Sequence, residues 1–487
     1  MHSCNNKPNN TAAKLQFYLH PDSAAYRQGI FDVIRIFDPM FEWGTEANDA
    51  SMISVTCTDA QWILTVGTKQ IAFETASLDE NQCRRLLKIH LYHLLSGQSE
   101  DEHPWGIMTG IRPTKIIHRY WDEDLSKAEI KQKAMEEYFL KEEKADLLLD
   151  VTERQRPFLL SREEAKEQVS IYLSIPFCPT RCHYCSFPSF CLPKPQLQEQ
   201  YLTNLLAECK AVGETLRQYG KQVQTVYIGG GTPTSLSAAQ LERLLDGIYN
   251  SLGDSFEEFT VEAGRPDTIT PEKLQTMHAY HVGRISINPQ TFLQSTLDAI
   301  GRKHTVQDII DVYHLARQIG FDSINMDLIT GLPGETAKDF MQSLAYISDL
   351  KPENVTVHTL AIKRTAKLDR RDFHKQQADT VRDMHAVLQN WLEKEDYVPY
   401  YLYRQKQMIG DQENTGYCLP GKESLYNIQM MEERQTILGL GVGSTSKYVN
   451  TADWTLTQNN NPKDLYFYNE RIDEIISKKR NCISQIF

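Results

Sequence analysis

Cys178, Cys182 and Cys185 lie in the run Ile175-Pro-Phe-Cys-Pro-Thr-Arg-Cys-His-Tyr-Cys-Ser-Phe187, spaced C-x3-C-x2-C. Three thiolates on one short loop can converge on a single iron–sulfur cube. A [4Fe–4S] cube normally takes four thiolates, so three leave one iron free to bind something else. Two other readings fit the same residue types. One is a zinc site completed by Cys191 or His183; the other is three unrelated buried thiols. So short a motif carries false positives, and the surrounding chemistry has to decide.

Further along, Gly229-Gly-Gly-Thr-Pro-Thr234 is a turn in which backbone N–H groups can approach a ligand with no Cβ in the way. The lysine of a phosphate loop is absent, and no G-x-G-x-x-G is followed by an acidic residue at dinucleotide-binding distance. Glu262 (in Thr260-Val-Glu-Ala-Gly-Arg-Pro-Asp267), Gln290 (in Arg284-Ile-Ser-Ile-Asn-Pro-Gln290) and Asp327 (in Asn325-Met-Asp-Leu-Ile-Thr-Gly-Leu-Pro333) each follow an apolar run. Carboxylates there suit the hydroxyls of a ribose, and Arg302 suits a carboxylate through its fork. The plainer alternative for each is a cap or a surface-loop residue.

These groups need elements to hold them. From residue 170 short apolar runs alternate with helical patterns. Strands are predicted over 171–175, 225–228, 259–261, 284–287, 323–328 and 354–359, and helices over 196–218, 238–251, 271–281, 307–319 and 339–350. Such β-then-α units build a right-handed parallel sheet, with chemistry at the C-terminal strand ends. The cysteine loop follows the first strand, and the glycine turn follows the second. Residues 1–100 are expected to form a small α+β domain, 101–168 a charged helical linker, 169–370 the sheet-and-helix core and 371–487 a substrate-side domain. Gly110-Ile-Arg-Pro-Thr-Lys115 interrupts the linker and is too polar for core packing.

The 487 residues carry a formal charge of −12, which argues against broad nucleic-acid binding. No run approaches the roughly 20 apolar residues of a membrane span. The first ten residues lack the apolar segment of a secretory signal, so a cytoplasmic protein with reduced thiols is expected.

The ordered set Y-x-x-I-P-F-C-x3-C-x-Y-C-x-F (from Tyr172), G-G-G-T-P-T, the Glu262 strand, S-x-x-x-Q and D-L-I-x-G-L-P resembles the radical S-adenosylmethionine (SAM) superfamily. Within it the set is similar to oxygen-independent coproporphyrinogen III oxidases (dehydrogenases) and their heme-chaperone relatives, over about residues 170–448. Gly110 to Lys115 and the long N-terminal part point to the longer, Z-type branch. The implied fold is α/β, a partial (β/α)6 TIM-like barrel with a small N-terminal α+β domain and a mostly helical C-terminal region.

By that resemblance, Cys178, Cys182 and Cys185 hold a [4Fe–4S] cluster. Tyr172, Tyr184, Gly230, Gly231, Thr232, Glu262, Gln290, Arg302, Asp327 and Ala361 contact SAM, with Tyr172 and Glu262 as catalytic candidates. The implied reaction is reductive cleavage of SAM to a 5′-deoxyadenosyl radical, which takes a hydrogen from each of two propionate β-carbons of coproporphyrinogen III. Loss of carbon dioxide and an electron then gives the vinyl groups of protoporphyrinogen IX. A tetrapyrrole with four carboxylates needs cations. Lys363, Arg364, Arg404 and Lys406 are the nearest candidates, ahead of Arg112 and Lys115. The implied partner is an electron donor such as flavodoxin or ferredoxin, and the chain is expected to act as a monomer.

Three positions depart from the family patterns. Phe187 stands where oxidase members carry a fourth cysteine. Ser174 stands where many relatives have the histidine of H-I-P. Tyr426-Asn-Ile-Gln-Met-Met431 replaces the H-N-x-x-Y-W of the chaperones. The alternatives are a heme-binding trafficking chaperone, with Met430 or Met431 as iron ligands, and a radical SAM enzyme acting on another substrate.

Overall fold

The computed structural model describes residues 16–19, 25–37, 41–43, 52–57, 60–96, 103–110, 112–185, 189–361, 374–405 and 408–487. The chain divides into two compact units. One comprises Met1–Gly110 with Lys127–Ala145, the other Ile111–Ser126 with Asp146–Phe487.

The first unit contains β1 (Gln16–Leu19), β2 (Glu42–Trp43), β3 (Met52–Cys57), β4 (Gln61–Val66) and β5 (Lys69–Glu74) in the sheet order β2-β1-β3-β4-β5. β3, β4 and β5 form an antiparallel meander, as their alternation predicts. On β4 the alternation buries Trp62, Leu64 and Val66. Helices Arg27–Phe37 and Glu80–Ser96 supply Ile30, Val33, Ile34, Leu87 and Leu91 to the same core.

The second unit is built on β6 (Gln168–Ile175), followed by the two-residue strands β7 (Phe177–Cys178) and β8 (Phe190–Cys191). Then come β9 (Gln222–Gly230), β10 (Glu258–Glu262), β11 (Arg284–Ser286), β12 (Ile324–Thr330) and β13 (Asn354–Thr359). The strands β6-β9-β10-β11-β12-β13 are neighbours in that order and all parallel. Helices Pro195–Gln218, Ala238–Leu252, Pro271–Ala279, Val306–Ile319, Ala337–Leu350 and His374–Leu392 follow them in turn, giving the expected (β/α)6 order. Three of these helices begin on reciprocal capping boxes, at Ser237, Thr305 and Thr336, which satisfy backbone donors that the first turn leaves open.

The C-terminal region contains the expected helices and also five strands: β14 (Val398–Tyr403), β15 (Asn414–Cys418), β16 (Thr436–Leu440), β17 (Thr445–Val449) and β18 (Leu456–Asn460). β15 and β14 continue the sheet antiparallel beyond β13. β16 lies parallel to β6, with β17 and β18 antiparallel outside it. These additions pair both edges of the six-stranded core, whose N–H and C=O groups would otherwise lie open.

Each core strand alternates. Ile171, Leu173, Val226, Ile228, Val261, Ile285, Met326, Val355 and Val357 enter the hydrophobic core. The intervening Tyr172, Tyr227, Thr260, Glu262, Ser286, Asp327, Thr356 and His358 line a cavity on the opposite face. Glu258 begins β10, at the opposite end of the strand from Glu262. Its carboxylate accepts from Ser424 Oγ (2.8 Å) and the N–H groups of Leu425 (2.8 Å) and Tyr426 (3.2 Å), at the start of helix Leu425–Glu432. A carboxylate is favoured there by the helix dipole and the open donors. Arg284 Nε lies 3.6 Å from the same carboxylate, and Arg284 Nη2 donates to the carbonyls of Lys422 and Glu423.

A second buried charge secures the C-terminal segment. Glu208, on helix Pro195–Gln218, accepts from Gly441 N (2.8 Å), Asn461 Nδ2 (2.9 Å), Tyr468 OH (2.7 Å) and Lys479 Nζ (2.6 Å). Lys479 also donates to the Gly439 carbonyl on β16. Removing one partner of such a pair strands the other charge, at a cost of about 3–5 kcal/mol. Lys479→Met is therefore expected to lose stability of that size in a urea melt, and Glu208→Gln/Lys479→Met to lose less than Lys479→Met alone. Equal melts for wild type and Lys479→Met would remove this latch from the account.

Candidate functional site

The C-terminal ends of β6, β9, β10, β11, β12 and β13 converge on a cavity of about 340 Å³. Cys178, Cys182 and Cys185 all line it, as do Tyr172, Tyr184, Gly230, Gly231, Thr232, Glu262, Gln290, Arg302, Asp327 and Ala361.

The cysteine loop leaves β6 through Pro176 and is framed by β7 and β8, which pair in parallel. It is laced to the glycine turn. Gly231 N donates to Ile175 O (2.8 Å), Thr232 N to Phe177 O (2.8 Å), and Cys178 Sγ lies 3.5 Å from Thr232 Oγ1. A Cβ on Gly231 would stand 2.7 Å from Phe177 O and 2.9 Å from its N, so only glycine permits this approach. Gly230 has φ 111°, a conformation glycine adopts without strain. On the other side, His183 N and Nδ1 donate to the carbonyls of Ile300 (3.0 Å) and Ala299 (2.9 Å). Cys191, the other zinc candidate, is exposed on β8. Burial pushes the Cys178 thiol up, and the neighbouring Cys185 and Cys182 add to it.

The rim next to the loop carries charge. Arg302 is buried and donates through Nη1 to the carbonyls of Asn288 (2.6 Å) and Gly264 (3.2 Å), and through Nη2 to Tyr184 OH (3.2 Å). Among the described residues its Nε and the Oδ1 of Asn288 are buried without a hydrogen-bond partner. Gln290 adopts φ 69°, unusual for a side-chain-bearing residue, and is pinned there by Gln290 N to Asp327 O (2.8 Å) and Ile329 N to Gln290 O (2.9 Å).

Two carboxylates face the cavity in contrasting surroundings. Burial raises the Glu262 carboxyl to about 7; Tyr227 OH, donating at 2.7 Å, and the Gly230 N–H oppose that rise, while Asp327 adds to it. Burial also pushes Asp327 up, but His358, Asn325 and Thr356 outweigh it and hold Asp327 below the ordinary carboxylate value. Asn325 Nδ2 donates to Asp327 at 2.8 Å, and His358 Nε2 lies 3.6 Å away. Tyr227 belongs to a stack of three rings, 4.3 Å from Tyr426 and 6.1 Å from Tyr172 between centroids.

Not every anticipated residue reaches the cavity. Arg404 is buried in an ion pair with Asp411 and does not line it. Arg112 and Lys115 pair with Glu433. Lys363, Arg364, Lys406 and Phe187 lie outside the described residues. Arg265, Asn288 and His358 line the cavity without having been singled out. The available signal was their position: each sits at the C-terminal end of a core strand or just beyond it.

The residues present fit a cluster with SAM beside it. Three thiols supply a soft donor set short of one ligand. The rim beside them supplies a cation with a donor, and an amide oxygen, that meet no partner among the described residues, and two carboxylates.

The Glu262 environment generates a prediction. A carboxyl raised from 4.5 to about 7 binds its proton more tightly in the folded chain. Its contribution to stability is therefore complete below pH 4.5 and lost as pH rises through 7. Tyr227→Phe removes the opposing hydroxyl, so the infrared carboxylic C=O band that titrates near neutrality in the ligand-free protein should titrate at higher pH. Glu262→Gln should remove the component of the band that Tyr227→Phe shifts and leave that of Glu432, whose carboxyl burial also raises to about 7. A band that keeps its midpoint in Tyr227→Phe would contradict this geometry.

The Radical SAM superfamily profile matches residues 172–347. The oxygen-independent coproporphyrinogen-III oxidase-like protein HemZ of Bacillus subtilis (strain 168) is 42% identical over 412 residues, 83% of this chain and 82% of that protein. Heme chaperone HemW of the same organism is 32% identical over 282 residues, covering 56% of this chain and 70% of HemW. The solved structure of coproporphyrinogen III oxidase (HemN) from Escherichia coli superposes with a TM-score of 0.52 at 24% identity, over 66% of this chain and 72% of that one, a likeness of fold. The chain belongs to the radical SAM superfamily, whose cofactors are a [4Fe–4S] cluster and S-adenosylmethionine, and within it to the oxygen-independent coproporphyrinogen III oxidase-like family.

Proposed function

We propose that Cys178, Cys182 and Cys185 hold the [4Fe–4S] cluster, that SAM lies between them and the Glu262–Gln290–Arg302–Asp327 rim, and that the protein converts coproporphyrinogen III to protoporphyrinogen IX without oxygen. One observation carries the reading: three thiols and a cation-and-carboxylate rim open onto the same cavity. With an electron from a flavodoxin- or ferredoxin-like donor, the bound cofactors supply hydrogen-atom abstraction from the propionate β-carbon.

The chain's own residues do the placing. Tyr172 and Tyr184 present rings to the cavity. Gly230 and Gly231 line the cavity where a Cβ would strike Ser174, Ile175 or Phe177, and Thr232 lines it beside them. Arg302, with Nε unpartnered, suits the SAM carboxylate. Ionised Asp327 and the carboxyl of Glu262 suit an ammonium group and ribose hydroxyls. Ala361 offers its backbone. The substrate's carboxylates fall to Lys363 and Arg364, because the Arg404 charge is met by Asp411.

A heme-carrying function is the second reading, favoured by the likeness to HemW. The two methionines that would serve it have other contacts: Lys447 Nζ lies 3.0 Å from Met430 Sδ, and Met431 packs against the cluster of Tyr400, Tyr401, Cys418 and Ile428.

Anaerobic incubation of the reconstituted protein with SAM, a reductant and coproporphyrinogen III is expected to give protoporphyrinogen IX and 5′-deoxyadenosine. Stoichiometric heme binding with no turnover would transfer the assignment to the second reading. Cys182→Ala is expected to lower iron from about four atoms per chain to below one and to stop 5′-deoxyadenosine release. Retention of the full iron complement would refute the ligand set.

A further inference from the structure

Arg265 stands three residues beyond Glu262, in the loop that ends β10, and its side chain is almost wholly buried. One edge of its guanidinium grips Asp267 in a fork, with Nε to Oδ1 at 2.9 Å and Nη2 to Oδ2 at 2.7 Å. Nη1 points the other way, into the cysteine loop. It donates to the Thr180 carbonyl (2.9 Å) and Thr180 Oγ1 (3.0 Å) and lies 3.8 Å from Cys182 Sγ.

Arg265 is therefore oriented. Asp267 fixes its plane, and the positive end of the pair faces one particular sulfur. Its backbone is held too. Thr268 donates to the Arg265 carbonyl from N (3.0 Å) and Oγ1 (2.8 Å), and Thr268 Oγ1 lies 2.7 Å from Thr234 Oγ1, beside the glycine turn. A bracing role alone would need the Thr180 contacts; it would not need a charged N–H directed at the thiol.

We infer that Arg265, held by Asp267, is a positioning residue that sets the reduction potential of the cluster through Cys182. The inference rests on the reading that Cys178, Cys182 and Cys185 hold that cluster. Cluster potentials depend on net charge and on hydrogen bonds to the sulfurs. Reduction adds a negative charge, so a cation with a donor aimed at a cysteine sulfur stabilises the reduced form and raises the potential. Asp267 works against it by partly neutralising the cation. The pair is thus a graded control in which each member shifts the potential in the opposite direction from the other. Arg302 also faces Cys182 but is committed to the cavity rim, whereas the Arg265 guanidinium meets Thr180, Cys182 and Asp267.

The test is an EPR-monitored redox titration of the reconstituted cluster, without substrate, in wild type, Arg265→Gln, Asp267→Asn, the double variant and Arg265→Lys. Arg265→Gln removes the cation and leaves the Asp267 charge, so the midpoint should move to more negative potential. A tenfold change in the oxidised-to-reduced ratio, about 59 mV for a one-electron couple, is the expected scale. Asp267→Asn should move the midpoint in the opposite direction, and the double variant should return it toward wild type. Arg265→Lys keeps the charge and should lie nearer wild type than Arg265→Gln. It also carries the test, with Asp267→Asn, if Arg265→Gln fails to load the cluster.

Midpoints unchanged in loaded variants, or displaced in the same direction by Arg265→Gln and Asp267→Asn, would overturn the inference and leave Arg265 a structural brace. Wild-type protein that takes up no cluster would overturn instead the ligand assignment on which it rests, and iron and sulfide content separates the two failures.

Discussion

The half-barrel depends on a polar interior held in a low-dielectric setting. Parallel strands covered on both faces usually read as continuous apolar runs. Here every core strand turns an apolar row to the helices and a polar row to the cavity. A buried polar group without partners costs free energy, so that inner row is stable only where its members satisfy one another or await a ligand. At the N-terminal end Glu258 meets a helix N-terminus and lies 3.6 Å from Arg284, whose Nη2 donates to two carbonyls while its Nε has no hydrogen-bond partner among the described residues. At the other end the Nε of Arg302 and Oδ1 of Asn288 are likewise unmet among the described residues, and there three thiols open onto the same cavity. The thiols, more than the unmet polar atoms, place the site.

The rim is assembled from loops that lock to one another rather than to the sheet alone. The glycine turn holds Ile175 and Phe177 through backbone bonds, Ala299 and Ile300 hold His183, and Arg265 holds Thr180. The cysteine loop is thereby fixed from three sides by segments that follow β9, β10 and β11. A loop restrained in this way has already met part of the ordering entropy that cluster binding would otherwise cost. The same contacts deliver a guanidinium to one sulfur, so mechanical support and electrostatics come from one residue.

Much of this was legible in the chain. The expected strand 354–359 coincides with β13, and 225–228 lies within Gln222–Gly230. The cysteine spacing, the glycine turn and Glu262, Gln290, Arg302 and Asp327 all reach one cavity, because period-two alternation and the β-then-α order dictate which strand faces and following loops converge. The C-terminal strands were harder to see. Leu438-Gly-Leu-Gly-Val-Gly-Ser444 has the composition of a glycine-rich turn, yet Thr436–Leu440 is a strand buried at every position. Gly439 is required there because a Cβ would stand 2.6 Å from Thr445 O on the neighbouring strand, a demand visible only once that neighbour is in place.

Side-chain partnership was likewise beyond the sequence. Nothing local distinguishes Arg404, bound to Asp411, from a cation facing a substrate, or Arg265 from a surface arginine. By itself the sequence determined the chemistry available: three thiols, a glycine turn, two carboxylates and an arginine, placed in or after successive strands, because short-range spacing and periodicity are properties of the chain. Only the tertiary structure decided which of those groups meet and in what state, because charge pairing, burial and unmet hydrogen bonds arise between residues far apart along it.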